Sequence, residues 1–222
     1  MEFLHDCAAF VFDMDGLLFD TERLSRRALY AAAEEMGVPL ADDAFLELIG
    51  RRMGVITRRL AVRMGDEILA ASLVERSEKH YQAFLAQGVP VKDGVAELLA
   101  WCAEDGRPCA VATSTHTAKA EYKLASSNLR GFFRAVIGGD QVENGKPAPD
   151  IYLRAAAALG VAAAQCGVFE DSEPGVRAAH AAGARVVWVP DLAPVDAVTQ
   201  ALAAARADNL FSVLQFLRAG QK

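Results

Sequence analysis

The chain has 222 residues, 53% hydrophobic and 23% charged, which allows a substantial core and argues against intrinsic disorder. Its 23 Lys and Arg against 29 Asp and Glu leave a net charge of −6, and a general nucleic-acid binder would need a basic footprint instead. The longest stretch free of charged residues, Ala155 to Phe169, is shorter than the roughly 20 apolar residues a bilayer requires.

The first apolar run, Ala8–Phe12, lacks alternation and reads as a buried parallel strand. It ends in Asp13-Met14-Asp15-Gly16. Before it, Met1–Asp6 carries two acids and no base, unlike a secretory leader, so a soluble, cytoplasmic protein without a membrane partner is expected.

From Thr21 to Gly88 no strand pattern occurs. Helical stretches lie between Gly37, Gly50, Gly65 and Gly88, with Asp42, Asp43 and Asp66 as candidate N-caps, and Leu69, Leu73, Tyr81 and Leu85 share one helix face. Between Glu22 and Pro90 ten basic and ten acidic residues balance, nine of the bases being Arg. The rest of the chain therefore carries the whole negative charge. A helical domain over residues 18–90, inserted into a body made of residues 1–17 and 91–222, follows from this pattern.

Beyond the insert, helix and strand alternate. Gly94–Glu104 predicts a helix, Cys109–Ala112 a strand running into Thr113-Ser114-Thr115, and Thr117–Ser127 a helix. Ala135–Ile137 predicts a strand followed at a distance by Gly145-Lys146-Pro147, then Asp150–Leu159 a helix. Cys166–Phe169 predicts a strand ending in Glu170-Asp171-Ser172, Pro174–Ala182 a helix, and Arg185–Val189 a strand. A last helix around Ser212–Arg218 is expected against the sheet edge. Such alternation specifies an α/β, doubly wound (Rossmann-like) parallel sheet. Cys7, Cys102, Cys109 and Cys166 form no CxxC pair and lie in apolar stretches, so they read as buried thiols.

Ligands of open parallel sheets bind outside the carboxyl ends of the strands. Those ends deliver Asp13, Asp15, Thr113, Ser114, Lys146, Glu170 and Asp171 to one edge. Four carboxylates side by side repel each other unless a proton or a cation intervenes. Hard oxygen donors without His or Cys select Mg²⁺ over zinc, and Mg²⁺ commonly bridges to a substrate phosphate. Lys146 and Thr113 suit phosphate oxygens, and backbone N–H groups around Asp15–Gly16 and Ser114 complete a cradle.

The run Asp13-Met14-Asp15-Gly16-Leu17-Leu18-Phe19-Asp20-Thr21-Glu22 resembles the first signature of the haloacid dehalogenase superfamily. Thr113, Lys146 and Glu170-Asp171 resemble its second, third and fourth, in order. Gly145-Lys146-Pro147-Ala148-Pro149-Asp150-Ile151-Tyr152 and Glu170-Asp171-Ser172 leading to Gly175-Val176 are similar to the branch containing β-phosphoglucomutase and small phosphatases. The opening Asp13–Leu24 and the later Val168-Phe169-Glu170-Asp171 and Val189-Pro190-Asp191 resemble pseudouridine-5′-phosphatase and related sugar-phosphate phosphatases. The resemblance covers Phe10 to Pro190, with the helical insert where that branch keeps a cap that closes over the site.

The resemblance implies a nucleophile at Asp13, which forms an aspartyl-phosphate, and a general acid/base at Asp15. It implies Mg²⁺ held by the Asp13 side chain, the Asp15 backbone carbonyl and Asp171, with Glu170 contributing directly or from behind. Thr113 and Lys146 would stabilise the transferring phosphoryl group. The expected activity is a Mg²⁺-dependent phosphatase acting on a small phosphorylated metabolite. A phosphomutase is the alternative, in which a cap histidine and a cap lysine assist; Ser25 and the neighbourhood of Ser77 stand at those positions, which favours hydrolysis.

Arg51 and Arg52 after Gly50, and His116 after the second signature, are candidates for substrate contact, against surface roles for all three. A dehalogenase would leave Asp15 and Glu170-Asp171 without a purpose. A receiver domain would place its phosphorylated Asp after a later strand and lack the insert, and a P-loop is excluded by Asp140 and Pro147. A non-catalytic binding module would be expected to lack one of the acids. No heptad seam appears, so a monomer is the default.

Overall fold

The structure, a computed structural model, describes residues 1–41, 44, 45, 47–49 and 53–220. The expectations for Asp42, Asp43 and Gly50 fall outside the described residues. The chain divides into two compact units, one of residues 1–19 and 90–222 and the other of residues 20–89.

The larger unit is built on a six-stranded sheet: β1 (Ala9–Phe12), β2 (Cys109–Ala112), β3 (Phe133–Ile137), β4 (Cys166–Glu170), β5 (Arg185–Trp188) and β6 (Ala205–Arg206). The order is β3-β2-β1-β4-β5-β6, and every pairing is parallel. The central strands β1, β2 and β4 are buried along their whole length, which is why their sequences run apolar without alternating. The short edge strand β6 was not legible as a strand: two residues carry no periodicity.

Successive residues of a strand face opposite sides of the sheet, and β1 shows what each side needs. Ala9 and Val11 belong to a buried cluster with Ala110, Val168, Val186, Ile151, Tyr152 and Val176. That cluster draws on the helices α6 (Asp150–Leu159) and α7 (Glu173–Ala181), whose small residues Ala155, Ala156, Ala178 and Ala179 are all buried and permit close helix–sheet approach. Phe10 and Phe12 belong instead to an aromatic group: Phe12 stacks on Phe169 with centroids 4.8 Å apart, and Phe10 meets Phe169 edge-on at 5.1 Å. Such geometries add about 0.5–1.5 kcal/mol per pair beyond area burial.

Of the remaining helices of this unit, α4 spans Val95–Glu104, α5 Thr117–Ser126, α8 Ala197–Gln200 and α9 Leu210–Ala219. The last helix packs chiefly against α4 rather than on the sheet edge. The apolar residues Leu210, Val213, Leu214 and Leu217 of α9 are buried.

The smaller unit is helical, with α1 (Thr21–Glu35), α2 (Met53–Met64) and α3 (Glu67–Ala86). Both α1 and α2 pack on α3. Asp66 caps α3, accepting from Leu69 N at 2.9 Å. Leu73 and Leu85 of the expected face are buried. Glu35 of α1 accepts from Arg76 and His80 of α3, and the Arg27 guanidinium lies over the Phe84 ring at 4.3 Å. All four cysteines are buried and unpaired by disulfides.

Candidate active site

The order of the strands reverses at β1, so crossovers leave in opposite directions on its two sides, and a crevice opens at the carboxyl ends there. Asp13 follows β1, Thr113 follows β2, and Glu170 and Asp171 end and follow β4. Lys146 reaches the same place from the connection between β3 and α6. Asp13, Thr113, Glu170 and Asp171 are all buried. Polar residues do not accumulate in a core without partners, and the partners define the site.

Lys146 Nζ spends its three donors on Asp13 Oδ1 at 2.5 Å, Glu170 Oε1 at 2.7 Å and the Ala112 carbonyl at 3.0 Å. The ammonium is thus a bridge between two carboxylates and is held well above the usual lysine range: burial opposes the charge, and Asp13 and Glu170 outweigh it. Glu170 is fully occupied. Besides Lys146, the Tyr152 hydroxyl donates to Oε1 at 2.6 Å, and Oε2 accepts from Asp171 N, Ser172 N and Ser172 Oγ, each at 3.0 Å. Gly175 is required beside it, since a Cβ there would stand 1.6 Å from Glu170 Oε1.

The two other acids are poorer in partners. Burial pushes the Asp13 carboxyl up to about 7; Lys146 pulls the other way, and Glu170 and Asp15 add to the rise. Burial likewise raises Asp171, with further contributions from Glu170, Asp13 and Asp191. Asp171 Oδ1 is buried with no hydrogen-bond partner. Ligand oxygens of Asp13, Glu170 and Asp171 lie within 4.8 Å of one another. An unpartnered buried oxygen, raised carboxyl groups and an all-oxygen donor set together fit a hard divalent cation.

The turn after β1 brings Asp15 and Gly16 to this cluster. Phe19 closes it, accepting from Gly16 N at 2.9 Å and donating to Met14 O at 3.1 Å, while Met14, Leu17, Leu18 and Phe19 are buried beneath. Gly16 has φ +93°, and a Cβ on it would lie 2.2 Å from Asp171 Oδ2. Lys92 donates to the Gly16 carbonyl at 2.6 Å and pairs with Asp191 at 2.9 Å. The Asp15 carboxylate accepts from Lys123 Nζ at 2.6 Å and Thr115 Oγ1 at 2.7 Å.

Thr113 Oγ1 accepts from Thr115 N at 3.1 Å, and Ser114 beside it is exposed. His116 proves to be the N-cap of α5: its Nδ1 accepts from Ala118 N at 3.3 Å, its Nε2 stands 3.6 Å from Asp140, and its side chain is exposed. That capping bond gives His116 a local reason to be where it is. Arg51 and Arg52 lie outside the described residues.

Sequence reasoning missed Lys92, Thr115, Lys123, Tyr152 and Asp191. Lys123 alone left a signal: it shares the buried face of α5 with Ala120 and Leu124, at the spacing of an apolar position.

At the switch point of this doubly wound sheet a lysine and several buried carboxylates come together. The chain belongs to the haloacid dehalogenase-like hydrolase family, which matches residues 10–189. It is similar to the fructose-1-phosphate phosphatase YqaB of Escherichia coli (strain K12), 34% identical over 182 residues that make up 82% of this chain and 96% of that protein. A probable pseudouridine-5′-phosphatase of Drosophila melanogaster is 39% identical over 191 residues, 82% of this chain and 80% of its own. Among solved structures, a putative β-phosphoglucomutase from Thermotoga maritima superposes with a TM-score of 0.82 at 31% identity, covering 95% of this chain and 98% of that one. In one longer relative, the Arabidopsis thaliana protein SUPPRESSOR OF QUENCHING 1, chloroplastic, the match is 35% identical over 192 residues, 82% of this chain and 18% of that protein. The family is one of hydrolases, and of the relatives named above two are phosphatases by name and one a putative phosphomutase.

Proposed function

We propose that the protein is a Mg²⁺-dependent phosphatase of small phosphorylated metabolites, a sugar phosphate or nucleotide-like monoester, working through an aspartyl-phosphate on Asp13. The observation that carries this reading is the buried Asp13 carboxylate, with Oδ1 bonded to Lys146 at 2.5 Å and the unpartnered Oδ1 of Asp171 among its neighbours.

In the first step Asp13 Oδ2 attacks phosphorus, the bond from phosphorus to the substrate oxygen breaks, and Asp15 supplies a proton to the leaving oxygen. In the second, water attacks the same phosphorus while its proton passes to the Asp15 carboxylate. The bond to Asp13 then breaks and inorganic phosphate leaves. Lys146 fixes Asp13 Oδ1, which leaves Oδ2 as the attacking atom, and with Thr113 it offsets charge developing on the phosphoryl oxygens. Glu170 acts through Lys146, since five donors already fill its oxygens. Mg²⁺, held by Asp13, Asp171 and the Asp15 backbone carbonyl, would supply fixed positive charge for the phosphoryl oxygens and relieve the repulsion among the acids.

The phosphatases among the relatives support a sugar phosphate or a nucleotide-like monoester as substrate. A screen of such monoesters, β-glucose-1-phosphate and fructose-1-phosphate among them, should release inorganic phosphate with Mg²⁺ and none with EDTA. The mutase reading, favoured by the β-phosphoglucomutase-like structure, is tested in the same screen: isomerised product without free phosphate would establish it.

A further inference from the structure

Lys123 is an ammonium ion inside the α/β unit, its side chain 6% exposed. Lysines are rarely buried so far without a partner, because taking an ammonium out of water is costly. An apolar residue would serve the packing of α5 better, because the neighbours on the same face are Ala120 and Leu124. The charge is directed instead at Asp15: Nζ donates to Oδ1 at 2.6 Å, while Thr115 Oγ1 donates to Oδ2 at 2.7 Å.

Both partners are themselves anchored. Thr115 N donates to Thr113 Oγ1 at 3.1 Å, and the Thr115 carbonyl accepts from Gly139 N at 3.1 Å. The Lys123 carbonyl accepts from the Ser126 and Ser127 hydroxyls at 3.1 and 2.9 Å. Asp15 thus lies in a two-point cradle built from the end of β2 and the second turn of α5.

We propose that Lys123 is a positioning residue for Asp15, fixing the orientation in which that carboxylate exchanges its proton; the inference rests on the phosphatase reading above. The two donors are not equivalent. An ammonium only donates, whereas a hydroxyl donates or accepts by turning about its C–O bond. Oδ1 therefore remains the acceptor of Lys123 throughout, and Oδ2 is the oxygen that carries the mobile proton. When Asp15 is protonated, Oδ2–H donates to the leaving oxygen, and when water attacks, its proton returns to Oδ2. Lys123 keeps its three protons from start to finish.

The test uses Lys123→Met, which keeps an unbranched stem of four heavy atoms and removes the ammonium, with p-nitrophenyl phosphate and Mg²⁺ as probe. General acid–base groups contribute about 10²–10⁴-fold, so a misoriented Asp15 should lower kcat by on the order of 10²-fold with KM within about 3-fold. Lys123→Arg should recover most of the loss. In an Asp15→Asn background the same Lys123→Met change should do almost nothing, because residues that act through one group are not additive. An undiminished kcat, or an equal loss in both backgrounds, overturns the proposal, the latter by showing a general structural role. Should Lys123→Met fail to fold, Thr115→Val removes the other arm of the cradle; it should lower kcat about 10-fold in the unaltered background only, and a loss that persists beside Asp15→Asn overturns the proposal. Absence of phosphate release by the unaltered protein across all monoesters would instead remove the phosphatase reading, and the inference with it.

Discussion

Tyr152 donates its hydroxyl to Glu170 Oε1 across 2.6 Å, and both residues are almost wholly buried. The tyrosine stands in the first turn of α6, and its ring lies 5.0 Å from Lys146 Nζ. Burial and the facing glutamate hold the phenol well above the ordinary tyrosine range, so it stays a donor. Tyr152→Phe keeps the ring and deletes the donor. A hydrogen bond to a charged group contributes about 1.5–3 kcal/mol, and at this chain length a loss of about 1 kcal/mol lowers Tm by roughly 2–4 °C. A fall in Tm of about 3–12 °C, with kcat reduced several-fold as Lys146 loses its fixed neighbour, is expected from melting curves and steady-state assays. Unchanged values in both would show that Glu170 is held adequately without the tyrosine.

Asp13→Asn should abolish turnover, because an amide is a far weaker nucleophile than the carboxylate that Lys146 orients. Rapid quenching of the unaltered protein with labelled substrate should trap acid-stable label on the chain, and the variant should trap none. Residual kcat above about a hundredth, which corresponds to less than about 2.7 kcal/mol of lost transition-state stabilisation, would remove covalent catalysis at this position.

Metal removal and pH should interact. Asp13 is pushed up to about 7 and Asp171 is raised in the same direction, both chiefly by burial. A carboxyl whose folded value exceeds its unfolded value, about 4, favours the protonated folded state. Its contribution to stability is complete below about pH 4 and is lost as pH rises through about 7. In EDTA, Tm should therefore fall between about pH 6 and 8, a window in which the lowered surface carboxylates Glu35, Asp140 and Asp196 are already ionised. Mg²⁺ should raise Tm most at the upper end, since a ligand that binds only the folded state stabilises it. Asp13→Asn should flatten the slope in EDTA. A Tm that climbs from pH 6 to 8 without metal would contradict this account.

The parts of the fold that were legible had a repeating physical cause. Fully covered parallel strands produce apolar runs such as Ala9–Phe12, and strand ends of an open sheet hold polar residues such as Asp13 and Thr113 only for a reason. The edge strand Ala205–Arg206 is too short to show a period, and the seat of α9 on α4 is a tertiary choice that no local pattern records. In the site, Asp13, Glu170 and Asp171 were conspicuous because acids at strand ends are costly. Tyr152 and Lys123 were not, because a tyrosine or lysine in an amphipathic helix has an ordinary reading until its partner is known. Lys123 came nearest to legibility, as a charge on the face where Ala120 and Leu124 are buried.

Gly16 offers the sharpest separation of stability from activity. Its φ of +93° lies where L side chains are rarely found, and a Cβ would sit 2.2 Å from Asp171 Oδ2 and 2.9 Å from Cγ. Gly16→Ala therefore strains the turn and displaces a carboxylate whose Oδ1 is buried without a partner. The strain alone costs about 1–3 kcal/mol, or a few degrees of Tm at this size. The chemistry should suffer far more, because a catalytic or ligating group misplaced by about 1 Å costs on the order of 10²-fold in rate. The expected signature is a modest fall in Tm, a loss of kcat of that order, and a rise in the Mg²⁺ concentration needed for half-maximal activity. Loss of kcat with an unchanged Mg²⁺ requirement would mean that the alanine is accommodated by moving the Asp15–Gly16 turn and not Asp171, and the close approach of these two residues would then have no part in holding the ion.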